Sequence, residues 1–322
     1  MLNWKQLLED VHAELGPTLG EGKVASYIPA LAEADPQAFA LALATNEGEV
    51  FTTGDADAPF SAQSITKVFM LGLALEASGE SLWKRVGREP SGTPFNSIVQ
   101  LEHEHGVPRN PFINAGALVV TDAVVSAFGA QEAPLALRDL MRRLAASERV
   151  RIDPVVAESE RDWGHRNAGL GHFIKSFNAL DNPVAAVLEA YFSQCALEVT
   201  PAELARAGRF LANGGIDPTS GERITTPARA RRIAALMMTC GHYDMSGDFA
   251  YRVGLPGKSG VGGGILCIVP DLGALVAYSP PLNAAGNSLA GTEALERLAT
   301  RAGLNVFGGE RDSRDCATSR AE

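Results

Sequence analysis

The chain is predicted to be an α+β protein: an antiparallel sheet built from N- and C-terminal strands, flanked by helices, with a helical block inserted between the two sets. Strand-like apolar runs stand near both ends, at Phe39–Thr45 with Val50–Thr53 and at Gly264–Val269 with Ala274–Ser279. Each pair is split by a short turn signal, Asn46-Glu47-Gly48-Glu49 in the first and Pro270-Asp271-Leu272-Gly273 in the second. Between the two hairpins, from Ile65 to about Met245, the apolar residues fall at helical spacing.

Taken in order, the first segment reads as helical from Leu2 to Glu33, with Leu7, Leu8, Val11 and Leu15 on one side and a turn from Gly16-Pro17 through Gly22. The first hairpin follows. The helical block carries clear patterns at Leu135–Leu144, Pro183–Cys195, Pro201–Ala212 and Pro227–Cys240, three of them opening on a proline, which is tolerated where a helix starts. After the second hairpin a last helix spans about Ser288 to Arg301. Residues 1–307 are therefore expected to form one unit, its sheet-containing part at about 23–78 and 245–305 and its helical part at about 79–244. Residues 308–322, polar and nearly without apolar side chains, read as a disordered tail.

At 322 residues, 46% apolar and 20% charged, the chain is long and apolar enough for a substantial core. A formal net charge of -10 argues against nucleic acid or anionic lipid as the partner, because an acidic surface repels polyanions. No apolar run reaches membrane-spanning length, and the first ten residues lack the basic start and apolar core of a signal peptide, so a cytoplasmic protein acting on a small molecule is expected. Cys195, Cys240, Cys267 and Cys316 are isolated, which supports reduced thiols over a disulfide framework or a zinc finger. His103-Glu104-His105 is a poor metal site, since residues two apart on a helix face different ways.

The chemistry centres on Ser64-Ile65-Thr66-Lys67, where a hydroxyl and an amine three residues apart share one helix face, so that the amine can take the serine proton. Ser81-Leu82-Trp83-Lys84 has the same spacing, but Ser81 reads as a helix N-cap, whereas Ser64 follows strand and turn signals. Far along the chain, Lys258-Ser259-Gly260-Val261 precedes Gly262-Gly263-Gly264. A Ser-x-x-Lys pair completed by a distant K-[ST]-G segment is the equipment of serine acyl-transfer enzymes of the β-lactamase and penicillin-binding type. The three glycines are no phosphate loop, because no G-K-[ST] follows them.

Further motifs stand in series: Ala25-Ser26-Tyr27-Ile28-Pro29, Pro108-Arg109-Asn110-Pro111-Phe112-Ile113-Asn114-Ala115-Gly116-Ala117, Glu158-Ser159-Glu160-Arg161-Asp162 with Arg166-Asn167, and Gly241-His242-Tyr243-Asp244. From about Lys23 to Leu298 the chain resembles the serine-dependent glutaminases, in order and spacing. The resemblance implies a serine β-lactamase/transpeptidase-like fold, L-glutamine as substrate, no cofactor or metal, and a homo-oligomer, dimer or tetramer. It also implies that Ser64 is the nucleophile, Lys67 its activating amine, Tyr243 a second proton-transfer group and Tyr27 a residue near the reacting centre. Asn114, Glu160, Asn167 and Tyr191 would line the glutamine pocket, Val261 would contribute a backbone N–H, and Lys258, Ser259 and Gly260 would support the site. Gly257 stands where many relatives have alanine and Val68 where some have proline, and neither touches a reacting atom.

The residue types suit amide hydrolysis. Cleaving a side-chain amide needs a nucleophile, donors for the oxyanion and a proton for departing ammonia. Lys67 serves as a base only if burial and a nearby cation such as Lys258 lower its proton affinity. Glu160 suits an α-ammonium group, while Asn114, Asn167 and Tyr191 offer hydrogen bonds. Each residue alone has a plainer explanation: Asn114 as a helix cap, Glu160 as part of a solvated charge run, Tyr191 as core, and Tyr27 and Tyr243 as turn hydroxyls. A β-lactam or peptidase-type hydrolase is a second reading, weakened by the lack of an S-D-N motif, and a catalytically silent amino-acid-binding protein is a third.

Overall fold

The computed structural model describes residues 2–91 and 98–308. Its main sheet has five antiparallel strands in the order β2-β1-β8-β7-β6. The first hairpin supplies β1 (Ala40–Thr45) and β2 (Val50–Gly54), and the C-terminal part supplies β6 (Gly257–Ser259), β7 (Gly264–Val269) and β8 (Gly273–Tyr278). The seam is the β1–β8 pairing, with Ala40 opposite Tyr278 and Thr45 opposite Gly273. The expected α+β architecture is therefore present, and both hairpins turn at the expected residues.

Strands β1, β7 and β8 are buried on both faces, and their alternation divides two cores. Ala40, Ala42, Ala44, Leu266, Ile268, Ala274 and Val276 face the helical block. Leu41, Leu43, Ile265, Cys267, Val269, Leu275 and Ala277 face the terminal helices Trp4–Leu15 and Leu289–Ala302. The alanines of β1 and β8 let the helix Pro201–Ala212 lie close on the sheet, and Gly208 completes the fit: a Cβ there would come within 2.8 Å of Ala274 Cβ and Leu266 Cδ1. That helix starts with a full capping box between Thr200 and Glu203.

The sequence reading departs from the structure in two places here. Helical structure does not continue to Glu33: a short 3-10 turn ends at Thr18, Gly20 and Gly22 have φ of 86° and 109°, and Lys23 bridges to Leu282 before a four-residue helix at Pro29–Ala32. Ser81 is no N-cap, because it lies inside the 3-10 helix Gly79–Lys84 and donates its hydroxyl to Ser78 O at 2.6 Å. A small second sheet had no counterpart in the sequence reading: β3 (Phe60–Ser61), β4 (Arg151–Ile152) and β5 (Leu197–Val199), in the order β3-β5-β4, with strands too short to leave a periodic signal. The tail assigned to 308–322 lies, beyond Gly308, outside the described residues, as does Cys316. Among the described residues no helix is long and apolar enough to cross a membrane.

Candidate active site

The small sheet ends at the reactive segment. β3 leads through Ala62 into a 3-10 turn, Gln63–Ile65, that runs directly into the buried helix Thr66–Ser78. Ser64 lies in the 3-10 turn and Lys67 three residues on, in the first turn of the α-helix, a spacing that puts the two on one side of the chain. Gln63, just before the serine, is held in the left-handed region at φ 49°, a strained conformation for a non-glycine residue. Across the cleft, edge strand β6 carries Lys258 and Ser259, and the chain continues through Gly260 to Val261. Gly260 leaves room for this approach, since a Cβ there would sit 2.6 Å from Ala62 O.

Between these segments lies a cavity of about 440 Å³, lined among others by Tyr27, Ser64, Asn114, Glu160, Asn167, Tyr191, Tyr243 and Val261. Segments up to some 230 residues apart in sequence thus share one wall. Lys67 lies beneath it, 1% exposed. Its amine donates to Asn114 Oδ1 at 2.7 Å and to Phe112 O at 3.2 Å. A neutral amine has two hydrogens, and both are used here, so its lone pair is left as a proton acceptor. Burial pushes the Lys67 value down from 10.5 to about 8, while the Glu160 carboxylate pulls it upward. Asn114 is not a helix cap: it is the first residue of the helix Asn114–Phe128, and its amide nitrogen donates to Asn167 Oδ1 at 2.9 Å.

The partner of the Ser64 hydroxyl is Tyr243, whose phenol hydrogen-bonds with it. Tyr243 opens a short 3-10 turn at φ 56°, and Ser246 Oγ accepts from His242 N at 3.0 Å and donates to Tyr243 O at 3.3 Å. Burial holds its phenol above the ordinary tyrosine value, so it remains protonated. Lys258 does not act on Lys67 as the sequence reading supposed. The pair repels, but Lys258 is the amine driven far down, by burial first and by the Lys67 charge second.

Glu160 belongs to no solvated run, since it is 2% exposed at the cavity wall. Burial raises its carboxyl, and hydrogen bonds from Tyr27 and Gln63 together with the Lys67 charge oppose that rise. Tyr27 is 50% exposed, yet its hydroxyl is enclosed, lying 3.0 Å from Glu160 Oε1 and 3.1 Å from Gln63 Oε1. Tyr191 is buried in the core and also reaches the cavity, where it shares a hydrogen bond with the Cys195 thiol. The cavity-lining residues given no role from the sequence are Gln63, Trp163, Gly164, Arg166 and Cys195. Gln63 and Cys195 stand next to assigned elements, but nothing in residue type or spacing singles them out.

An α+β sheet with a Ser-x-x-Lys turn at one side of a cleft and a K-S-G edge strand at the other is the arrangement of the serine acyl-transfer hydrolases. Comparison with known proteins narrows this class: the sequence profile named Glutaminase matches residues 22–307. The chain belongs to the glutaminase family. It is 56% identical over 308 residues to a glutaminase of Rhizobium rhizogenes, covering 96% of this chain and all of that one, and equally identical over 302 residues to a glutaminase of Agrobacterium fabrum. Among solved structures, the probable glutaminase ybaS superposes with a TM-score of 0.90 at 37% identity, over 95% of this chain and 98% of that one. The crystal structure of Mglu in its glutamate form gives the same score and identity over 96% of this chain and 70% of that one.

Proposed function

We propose that this glutaminase hydrolyses L-glutamine to L-glutamate and ammonia through a γ-glutamyl ester on Ser64. One observation carries the reading: the Ser64 hydroxyl, hydrogen-bonded to Tyr243, opens into the same cavity as the buried Glu160 carboxylate and the Asn114–Asn167 amide pair. The lone pair of Lys67 takes the Ser64 proton as the oxygen attacks the side-chain amide carbon. The N–H groups of Ser64 and Val261 receive the developing oxyanion, each such donor being worth about 3 kcal/mol. Tyr243, kept protonated by burial, passes a proton to the departing nitrogen, and ammonia leaves. Water then cleaves the ester with the same groups in reverse.

Glu160 pairs with the substrate α-ammonium, and Tyr27 fixes the carboxylate that does so. Asn114, Asn167 and Tyr191 bond the α-carboxylate end, which selects a free amino acid over a peptide. Lys258, Ser259 and Gly260 hold the opposite wall. The relative crystallised in a glutamate form supports a pocket of this specificity. We further propose a cytoplasmic homo-oligomer. The direct test is ammonia release from glutamine together with mass spectrometry of the Ser64 peptide after a covalent glutamine analogue. An adduct on another residue, or full turnover by Ser64→Ala, refutes the mechanism.

A further inference from the structure

Strand β6 is an edge strand, so the outward backbone groups of Ser259 have no strand to pair with. The N–H goes to Gly241 O at 3.1 Å. The carbonyl receives two donors: Lys258 Nζ at 2.6 Å and, much more weakly, the Tyr243 hydroxyl at 3.5 Å. Lys258 is fully buried, and its second hydrogen bond goes to Gly241 O at 3.0 Å. Among the described residues it has no carboxylate partner, and its amine stands 4.9 Å from the centre of the Tyr243 ring. A buried amine without a counter-ion is costly, and an apolar side chain would fill the space more cheaply, so the amine is there for what it bonds.

We propose that Lys258 is a positioning residue for Tyr243: by taking the outward carbonyl of Ser259, it keeps the phenol hydroxyl turned toward Ser64. Without that amine, Ser259 O becomes an unsatisfied buried acceptor within reach of the phenol. A small ring rotation shortens the 3.5 Å contact to an ordinary hydrogen bond and draws the hydroxyl off the nucleophile. Lys258 touches no reacting atom and acts only through Tyr243. The proposal rests on the reading in which Tyr243 serves Ser64.

The test is a double-mutant cycle on glutamine turnover with Lys258→Met, Tyr243→Phe and the two combined. Lys258→Met is expected to lower kcat roughly 30-fold or more while KM changes less than about threefold. In the Tyr243→Phe background the same change is expected to cost less than about twofold, because the hydroxyl it controls is gone. Lys258→Gln, whose amide still donates to Ser259 O, is expected to keep kcat within about fivefold of the parent. Equal losses from Lys258→Met in both backgrounds overturn the proposal. Full activity in Tyr243→Phe alone instead removes the role of Tyr243 itself, which separates the two failures. If thermal melts show Lys258→Met unfolded, Lys258→Leu, which also lacks a donor, carries the cycle; if neither folds, the lysine serves folding and the proposal fails.

Discussion

Lys67→Met should abolish turnover and yet make the protein more stable at neutral pH. The amine is buried, and its proton affinity falls from 10.5 to about 8. Holding the protonated form in the folded state at neutral pH therefore costs roughly 3 kcal/mol, at about 1.4 kcal/mol per pH unit. Methionine fills a similar volume without that cost, but strands Asn114 Oδ1 and Phe112 O, about 1 kcal/mol each. The net gain near pH 7 is about 1 kcal/mol. The sign reverses on raising the pH: the unfolded chain binds more protons than the folded one between about 8 and 10.5, so the parent gains stability across that window and the penalty is gone above it. Lys67→Met should thus be the more stable protein near pH 7 and the less stable one, by about 2 kcal/mol, near pH 10.5. Urea unfolding of both proteins at the two pH values measures the swing. A difference that stays constant with pH shows that Lys67 does not titrate as the geometry demands.

The same titration sets the rate: kcat/KM should rise about tenfold between about pH 7 and pH 9 with a midpoint near 8, because roughly a tenth of the amine is neutral at pH 7, and a flat profile in ammonia-release assays excludes Lys67 as the base. Glu160→Gln should raise KM for glutamine by roughly 100-fold with a smaller effect on kcat, since a neutral amide loses the ammonium pairing, and steady-state kinetics separate the two constants. Tyr27→Phe removes the 3.0 Å bond to Glu160 and should raise KM by about tenfold, with an unchanged KM counting against the contact. Gly116→Ala should destabilise the fold by about 3 kcal/mol or more in denaturant melts, because its Cβ collides with the carbonyl of Asn110 in the turn that carries Asn114.

The two hairpins and the helical block could be read from the sequence because each rests on local pattern: alternation, turn residues, a proline-led helix start. The second sheet could not, since its strands are two or three residues long and exist only because distant segments pair. Asn114 and Glu160 show the same limit for side chains. In sequence one precedes a helix and the other sits among charges, and each local reading favoured a cap or a solvated face. Tertiary packing overrules both, turning Asn114 onto Lys67 and closing Glu160 behind Tyr27. Ordered motifs far apart compensated, because their joint spacing carries information that no single residue has. Lys258 was noticed for its motif, but its bond to the edge carbonyl of Ser259 shows only in the geometry.

Because β1 finds its neighbour β8 only after more than two hundred intervening residues have been made, a ribosome holding a partly synthesised chain exposes a hairpin with one unsealed margin. The nascent polypeptide stays inert until its last hundred residues emerge, and any premature stop before β8 leaves a sticky fragment in place of a weak enzyme. Quality control in the cell meets two well-separated products, a finished catalyst or an aggregation-prone stub.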